Sequence, residues 1–154
     1  MERLRVSRFF LFAGALALLA GLVVLSFGRP DAPAANAVAV HIGDSTIAAD
    51  RADTPRLREL GLSGRDELCA SCGMLFVFDA PGRYGLWMKE MRFPIDIIWL
   101  DEQKTVIGIA RGASPDSYPE IFYPPRDIRY ALEVPAGFSD AQALAEDSLV
   151  SFSL

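Results

Sequence analysis

The chain has 154 residues, 51% of them hydrophobic and 23% charged, with a formal net charge of -5. Residues 30–154 carry 11 basic and 19 acidic side chains, a net charge of −8 that repels phosphate backbones and argues against a nucleic-acid partner. Two cysteines and one histidine exclude a disulfide-rich mini-scaffold and a four-thiolate zinc site, and they leave His41 as the sole imidazole for any Ser-His-Asp or Cys-His set.

Arg3, Arg5 and Arg8 precede an uncharged apolar run over residues 9–27. Nineteen residues at helical rise span roughly 28 Å, about the thickness of a bilayer core. The arginines on that flank predict a cytoplasmic N-terminus with the rest of the chain exported. Residues 1–29 therefore read as a single-pass anchor in the cytoplasmic (inner) membrane, with the C-terminal part outside the cytoplasm. The rival reading is a cleaved signal segment, since Ala35-Asn36-Ala37 has the small-x-small form a signal peptidase reads; the product would be secreted or periplasmic. Residues 30–37 form a Pro/Ala-rich linker, and residues 38–154 the globular domain.

Within the domain, Val38, Val40 and Ile42 alternate with Ala39 and His41, which predicts a strand with His41 on its outer side and a turn at Gly43-Asp44. Thr54-Pro55 starts a short helix that Gly61 stops. Met74–Phe78 is apolar on both faces, the pattern of a central strand. Strands are expected over 84–91, 95–100 and 105–110, with a turn at 101–104. Residues 112–127 read as a loop with four prolines and Tyr118, Phe122 and Tyr123 among them. A strand over 130–134, a helix capped by Ser139 and running to Leu144, and a strand over 149–154 complete the chain. Many short strands, two short helices and no β-α alternation predict a β-rich α+β domain with a small curved or barrel-like sheet.

Four ordered motifs carry a resemblance. The strings Gly73-Met74-Leu75-Phe76-Val77-Phe78, Trp87-Met88-Lys89, Ile95-Asp96-Ile97-Ile98-Trp99 and Leu132-Glu133-Val134-Pro135-Ala136-Gly137 resemble the family called domain of unknown function 192 over about residues 38–154. The resemblance implies a compact β-rich domain, often exported, with no established activity. Three positions depart from the family's usual run. Glu90-Met91 stands where Asn-Thr is usual, Ser63 where a Met often follows Gly-Leu, and Glu146-Asp147 where Gly-Asp is usual.

Cys69-Ala70-Ser71-Cys72 is a C-x-x-C before a strand rather than at a helix start. In an exported domain it fits a short-loop structural disulfide, with a redox-active pair, half a metal site or free thiols as alternatives. No metal or other cofactor is expected. Lys89, Asp96 and Glu133 are polar residues inside predicted strands. Asp96 shares a face with Ile98 and Leu100, Glu133 with Ala131 and Arg129, and Lys89 with Trp87 and Met91. A buried carboxylate must be paired, hydrogen-bonded or protonated. Three readings follow: an ion pair from Lys89 to Asp96 or Glu133, a carboxylate accepting backbone N–H groups, or a pocket in which these residues bind hydroxyls or act as acid and base. Trp87, Trp99, Phe122, Tyr123 and Tyr130 could form an aromatic platform; strand positions favour a core role for Trp87, Trp99 and Tyr130 and a surface role for Phe122 and Tyr123.

Two functions stand side by side at this level. One is a membrane-tethered or exported module that binds a small polar ligand or an envelope protein through Trp87, Lys89, Asp96, Phe122, Tyr123 and Glu133. The other is a small enzyme acting on a sugar-like or polar substrate through Asp96 and Glu133, with Lys89 polarising an oxygen. A thiol-disulfide role for Cys69 and Cys72 is the weaker third. The absence of a catalytic set favours the module.

Overall fold

A computed structural model describes residues 37–154; the apolar segment at 9–27 and nearly all of the linker lie outside the described residues. Strands β1 (Val38–Ile42), β2 (Ser45–Ala52), β3 (Cys72–Gly82), β5 (Ile95–Leu100), β6 (Val106–Ala113), β8 (Ile128–Pro135) and β9 (Val150–Ser151) form one sheet in the order β6-β5-β8-β3-β2-β1-β9. Strands β4 (Leu86–Trp87) and β7 (Ile121–Phe122) pair separately. Every pairing is antiparallel except β2 with β3, whose connection carries helix α1 (Pro55–Leu60). Helix α2 (Phe138–Ala141) follows β8. Among the described residues no helix is long and apolar enough to cross a membrane.

The sheet curls into a half-barrel. Its two ends approach each other where Thr105 bridges Leu149, Val106 N–H donates to Ser148 O, and Val150 N–H donates to Lys104 O. Period-2 alternation sorts the side chains into two cores. One holds Val38, Val40, Ile42, Ile47, Leu75, Ile98, Leu100, Leu132 and Val134. The other, on the opposite face, holds Met74, Phe76, Phe78, Ile95, Ile97 and Ala131, covered by Leu62, Leu86 and Met88 from the segments that cross it. Strand β5 is buried at all six positions because both of its faces are covered.

Several boundaries differ from the sequence reading, each for a local reason. Strand β2 has a single large aliphatic side chain, Ile47, and is held by its neighbours β1 and β3 instead of by its own pattern. The strand expected over 84–91 shrinks to Leu86–Trp87, because the chain turns at Lys89-Glu90 with Glu90 at φ 57. Ser139 does not cap α2: Gly137, in the left-handed region at φ 85, takes that place, and Ser139 lies inside the helix. The 112–127 segment holds β7 and a 3-10 turn at Pro115–Ser117, and the last strand is only Val150–Ser151.

Helix α1 follows its sequence signals. Thr54 Oγ1 accepts the Leu57 N–H at 3.2 Å, Pro55 opens the first turn, and Gly61 at φ 53 ends it. Because the helix is so short, that cap is a large share of its local order. Thr54→Ala is expected to cost about 1 kcal/mol, read as a lower denaturation midpoint at unchanged slope.

Candidate functional site

A cavity of about 400 Å3 opens on the second face, between the sheet and the segments that cross it. One wall is α1 and its exit, from Arg58 to Ser63. The opposite wall runs from Tyr84 to Trp87, with Met91 behind it. Phe76, Phe78 and Asp79 of β3 and Glu133 of β8 complete the lining. The two walls are tied together: Ser63 Oγ donates to Lys89 O at 2.8 Å, and Gly64 N–H donates to Glu90 O at 3.0 Å. Ser63 is thus the residue whose side chain clamps the exit of α1 to the 89–90 turn. Glu90 is exposed and left-handed, a backbone state that asparagine tolerates better than other L-residues. Glu90→Asn is expected to stabilise the fold by about 0.5–1 kcal/mol, measured by denaturant unfolding.

Among the described residues, Glu133 is the one acid buried against this cavity. It is 4% exposed, and its register neighbours are Met74 on β3 and Ile97 on β5, both apolar. Its Oε2 has no hydrogen-bond partner. Burial pushes the carboxyl from 4.5 up to about 8, against the opposing pull of the Arg65 guanidinium. Arg65 is held by Asp50 of β2 at 2.7 Å. At neutral pH the group is therefore mainly a carboxylic acid, able both to donate and to accept.

The rim is polar and already engaged. Arg58 donates to Asp53 O at 2.9 Å, to Val77 O at 2.7 Å and to the Asp79 carboxylate at 3.3 Å. Its guanidinium also lies 5.7 Å from the centre of the Phe78 ring. Phe78 and Tyr84 stack at 3.9 Å and 4°. Trp87 is 43% exposed at the mouth.

Asp96 belongs elsewhere. It pairs with Val134 across β5 and β8, while Glu133 pairs with the next residue, Ile97. The two carboxyls therefore point to opposite faces of the sheet. Asp96 is 0% exposed. Its Oδ1 accepts Gly112 N–H at 2.8 Å and Gly137 N–H at 3.3 Å, and its Oδ2 accepts Ser139 N–H at 2.9 Å. It ties the end of β6 to the β8–α2 turn, which is the backbone-accepting reading of the three. This corrects the pairing of Asp96 with Glu133 as acid and base: residues one register step apart on neighbouring strands face opposite sides of the sheet and cannot converge on one substrate.

Lys89 is likewise displaced. It lies in the 89–90 turn, beside a shallower cleft of about 260 Å3 with Arg56, Glu59 and Glu90, and among the described residues no ion pair joins it to Asp96 or Glu133. Trp99 and Tyr130 pack against the cores as expected. Trp87 and Phe122 exchange roles, because in the two-residue pair β4–β7 Leu86 and Phe122 turn inward while Trp87 and Ile121 turn out. Tyr123 is 56% exposed.

Cys69 and Cys72 form a disulfide that closes the turn into β3. His41 is exposed, with Nδ1 2.9 Å from Thr46 Oγ1. Among the described residues no group of three or more His, Cys, Asp or Glu side chains is placed to hold a metal ion. Of the residues singled out from sequence, the cavity gathers Trp87 and Glu133. It adds Phe76 and Phe78, which lie in a strand whose sequence is apolar on both faces, Met91, which period 2 places on one face with Trp87, and Tyr84, for which the sequence carries no signal.

The model of the family DUF192, described as "Uncharacterized ACR", matches residues 38–152. No curated protein matches the chain. Among solved structures, a "putative transcription regulator" from Sinorhizobium meliloti 1021 superposes with a TM-score of 0.69 at 24% identity, over 75% of this chain and 91% of its own. A protein of unknown function from Novosphingobium aromaticivorans DSM 12444 gives the same TM-score and identity, over 75% of this chain and 83% of its own. At that identity the likeness is one of fold.

Proposed function

The chain belongs to the DUF192 family, and from that premise we propose that it is an exported, membrane-tethered binding module whose ligand is a small molecule seated on Glu133. One observation carries the reading: a carboxyl oxygen buried without a partner, at the side of a cavity large enough for a ligand. Leaving such an atom unsatisfied costs about 1–3 kcal/mol, which a bound polar group would recover. The apolar run at 9–27 with its flanking arginines supports the tether, and the Cys69–Cys72 disulfide supports an oxidising compartment. A charge of −8 over residues 30–154 weighs against the nucleic-acid role that the description of the Sinorhizobium protein would suggest.

The test is a thermal-shift panel of neutral, cationic and anionic small molecules on the full chain, run beside Met91→Trp, which fills the cavity from the wall that Met91 backs. A ligand at about 100 times its dissociation constant stabilises by about 2.7 kcal/mol, a shift of several degrees. The shift is expected in the parent chain and lost in the variant. A panel with no hit, or a hit that survives Met91→Trp, overturns the reading.

A further inference from the structure

The chemistry of the cavity narrows its ligand. Four aromatic side chains line the cavity that holds the buried acid, Phe76, Phe78 and Tyr84 in its walls and Trp87 at its mouth. Ring faces carry partial negative charge and attract cations; Phe78 stacks on Tyr84 and already carries the Arg58 guanidinium, which leaves Phe76 and Trp87 as the rings for a ligand cation. Three acids, Glu59, Asp79 and Glu133, stand against one base in the lining, and that base, Arg58, is spent on two backbone carbonyls and on Asp79. Arg65, the other cation near Glu133, is held by Asp50. Among the described residues nothing in the lining offers a free cation to an anionic ligand.

We propose, resting on the binding-module reading above, that the cavity is a site for a small organic amine, its ammonium donating to the Glu133 carboxylate and its apolar body lying against Phe76 and Leu86. Binding is coupled to a proton. The ammonium meets a carboxylate, so the proton that Glu133 holds in the empty site leaves to solvent as the amine enters, and the charge-assisted bond replaces the unsatisfied oxygen. The charged groups facing Glu133 are Arg65 after α1, Asp50 on β2, Arg58 and Glu59 on α1, and Asp79 on β3; its strand neighbours Met74 and Ile97 are apolar. With the carboxyl titrating at about 8, amine affinity is expected to rise by up to about tenfold per pH unit as pH climbs to that value, then to level off.

The experiment is calorimetric titration of the full chain in lipid nanodiscs, with empty nanodiscs subtracted, using phenethylamine and hexylamine beside their neutral counterparts 2-phenylethanol and hexanol. The amines are expected to bind at least about tenfold tighter than the alcohols above pH 8 and to release a proton below it. Glu133→Gln removes the pH dependence and weakens the amines about tenfold or more; Trp87→Ala, at the half-exposed mouth, weakens them several-fold. Alcohols binding as tightly as amines, with the binding lost in Met91→Trp, would overturn the amine assignment and keep the cavity as the site. Amines binding equally well to Glu133→Gln would also overturn the assignment. Silence from both classes would overturn the amine assignment, and the binding module falls only if the wider panel is silent too.

Discussion

Asp96→Asn is expected to lower the stability of the domain by about 3 kcal/mol, a drop of roughly 10 °C in Tm for a domain of this size. The parent carboxylate is fully buried and accepts three backbone N–H groups, from Gly112, Gly137 and Ser139. An asparagine keeps one acceptor oxygen for the first two and sets an NH2 group against the Ser139 N–H, so one strong bond becomes a donor–donor contact. The change also removes the charge that strengthens the other two bonds. Because Asp96 faces away from the cavity, any ligand-induced thermal shift should survive, displaced to lower temperature but of similar size. Denaturant unfolding of the two proteins decides the point. A loss under about 1 kcal/mol would mean that the three N–H groups find other acceptors and that Asp96 is not the staple of this end of the sheet.

The same residue shows where sequence patterning reached and where it stopped. Period 2 along β5 placed Asp96 with Ile98 and Leu100, and along β8 it placed Glu133 with Ala131; both placements are those of the fold. Patterning does not state the register between strands. Only the pairing of Asp96 with Val134, beside that of Ile97 with Glu133, shows that the two carboxyls part to opposite faces. Lys89 was lost for a different reason. Trp87 and Met88 read as a continuing strand, but the chain turns there: Met91 N–H donates to Met88 O, and Ser63 and Gly64, residues distant in sequence, donate to Lys89 O and Glu90 O. Strand β2 was invisible because Ala48, Ala49 and Ala52 carry no strand signal of their own, and the strand forms because β1 and β3 flank it. The helix α1 was legible from Thr54 to Gly61, since its cap and stop are local. In the cavity, Trp87 and Glu133 were visible as unusual residues. The wall opposite them needed the tertiary fold.

Glu133→Gln should make the folded state more stable than the parent at alkaline pH and leave the two alike near pH 4. The parent carboxyl titrates at 4.5 when solvated and at about 8 when buried in the folded chain. Below pH 4.5 both states hold the proton, and the position adds no pH dependence. Between 4.5 and about 8 the unfolded chain ionises while the folded chain keeps its proton. Each pH unit in that window therefore removes about 1.4 kcal/mol of stability. Above about 8 both states are ionised and the loss is constant, at no more than about 5 kcal/mol in total. Glutamine is neutral throughout, so the difference between variant and parent isolates this one group from every other titration in the chain. Chemical denaturation at several pH values should give two curves that run together near pH 4 and diverge to about pH 8, with the variant above. Parallel curves across that range would show a carboxyl that stays ionised in the folded chain, as it would if water or the Arg65 guanidinium satisfied it, and would remove the unsatisfied acid from the site. Divergence would show instead that the fold carries a destabilising acid at the cavity wall, a cost that an ammonium ligand would offset when it binds.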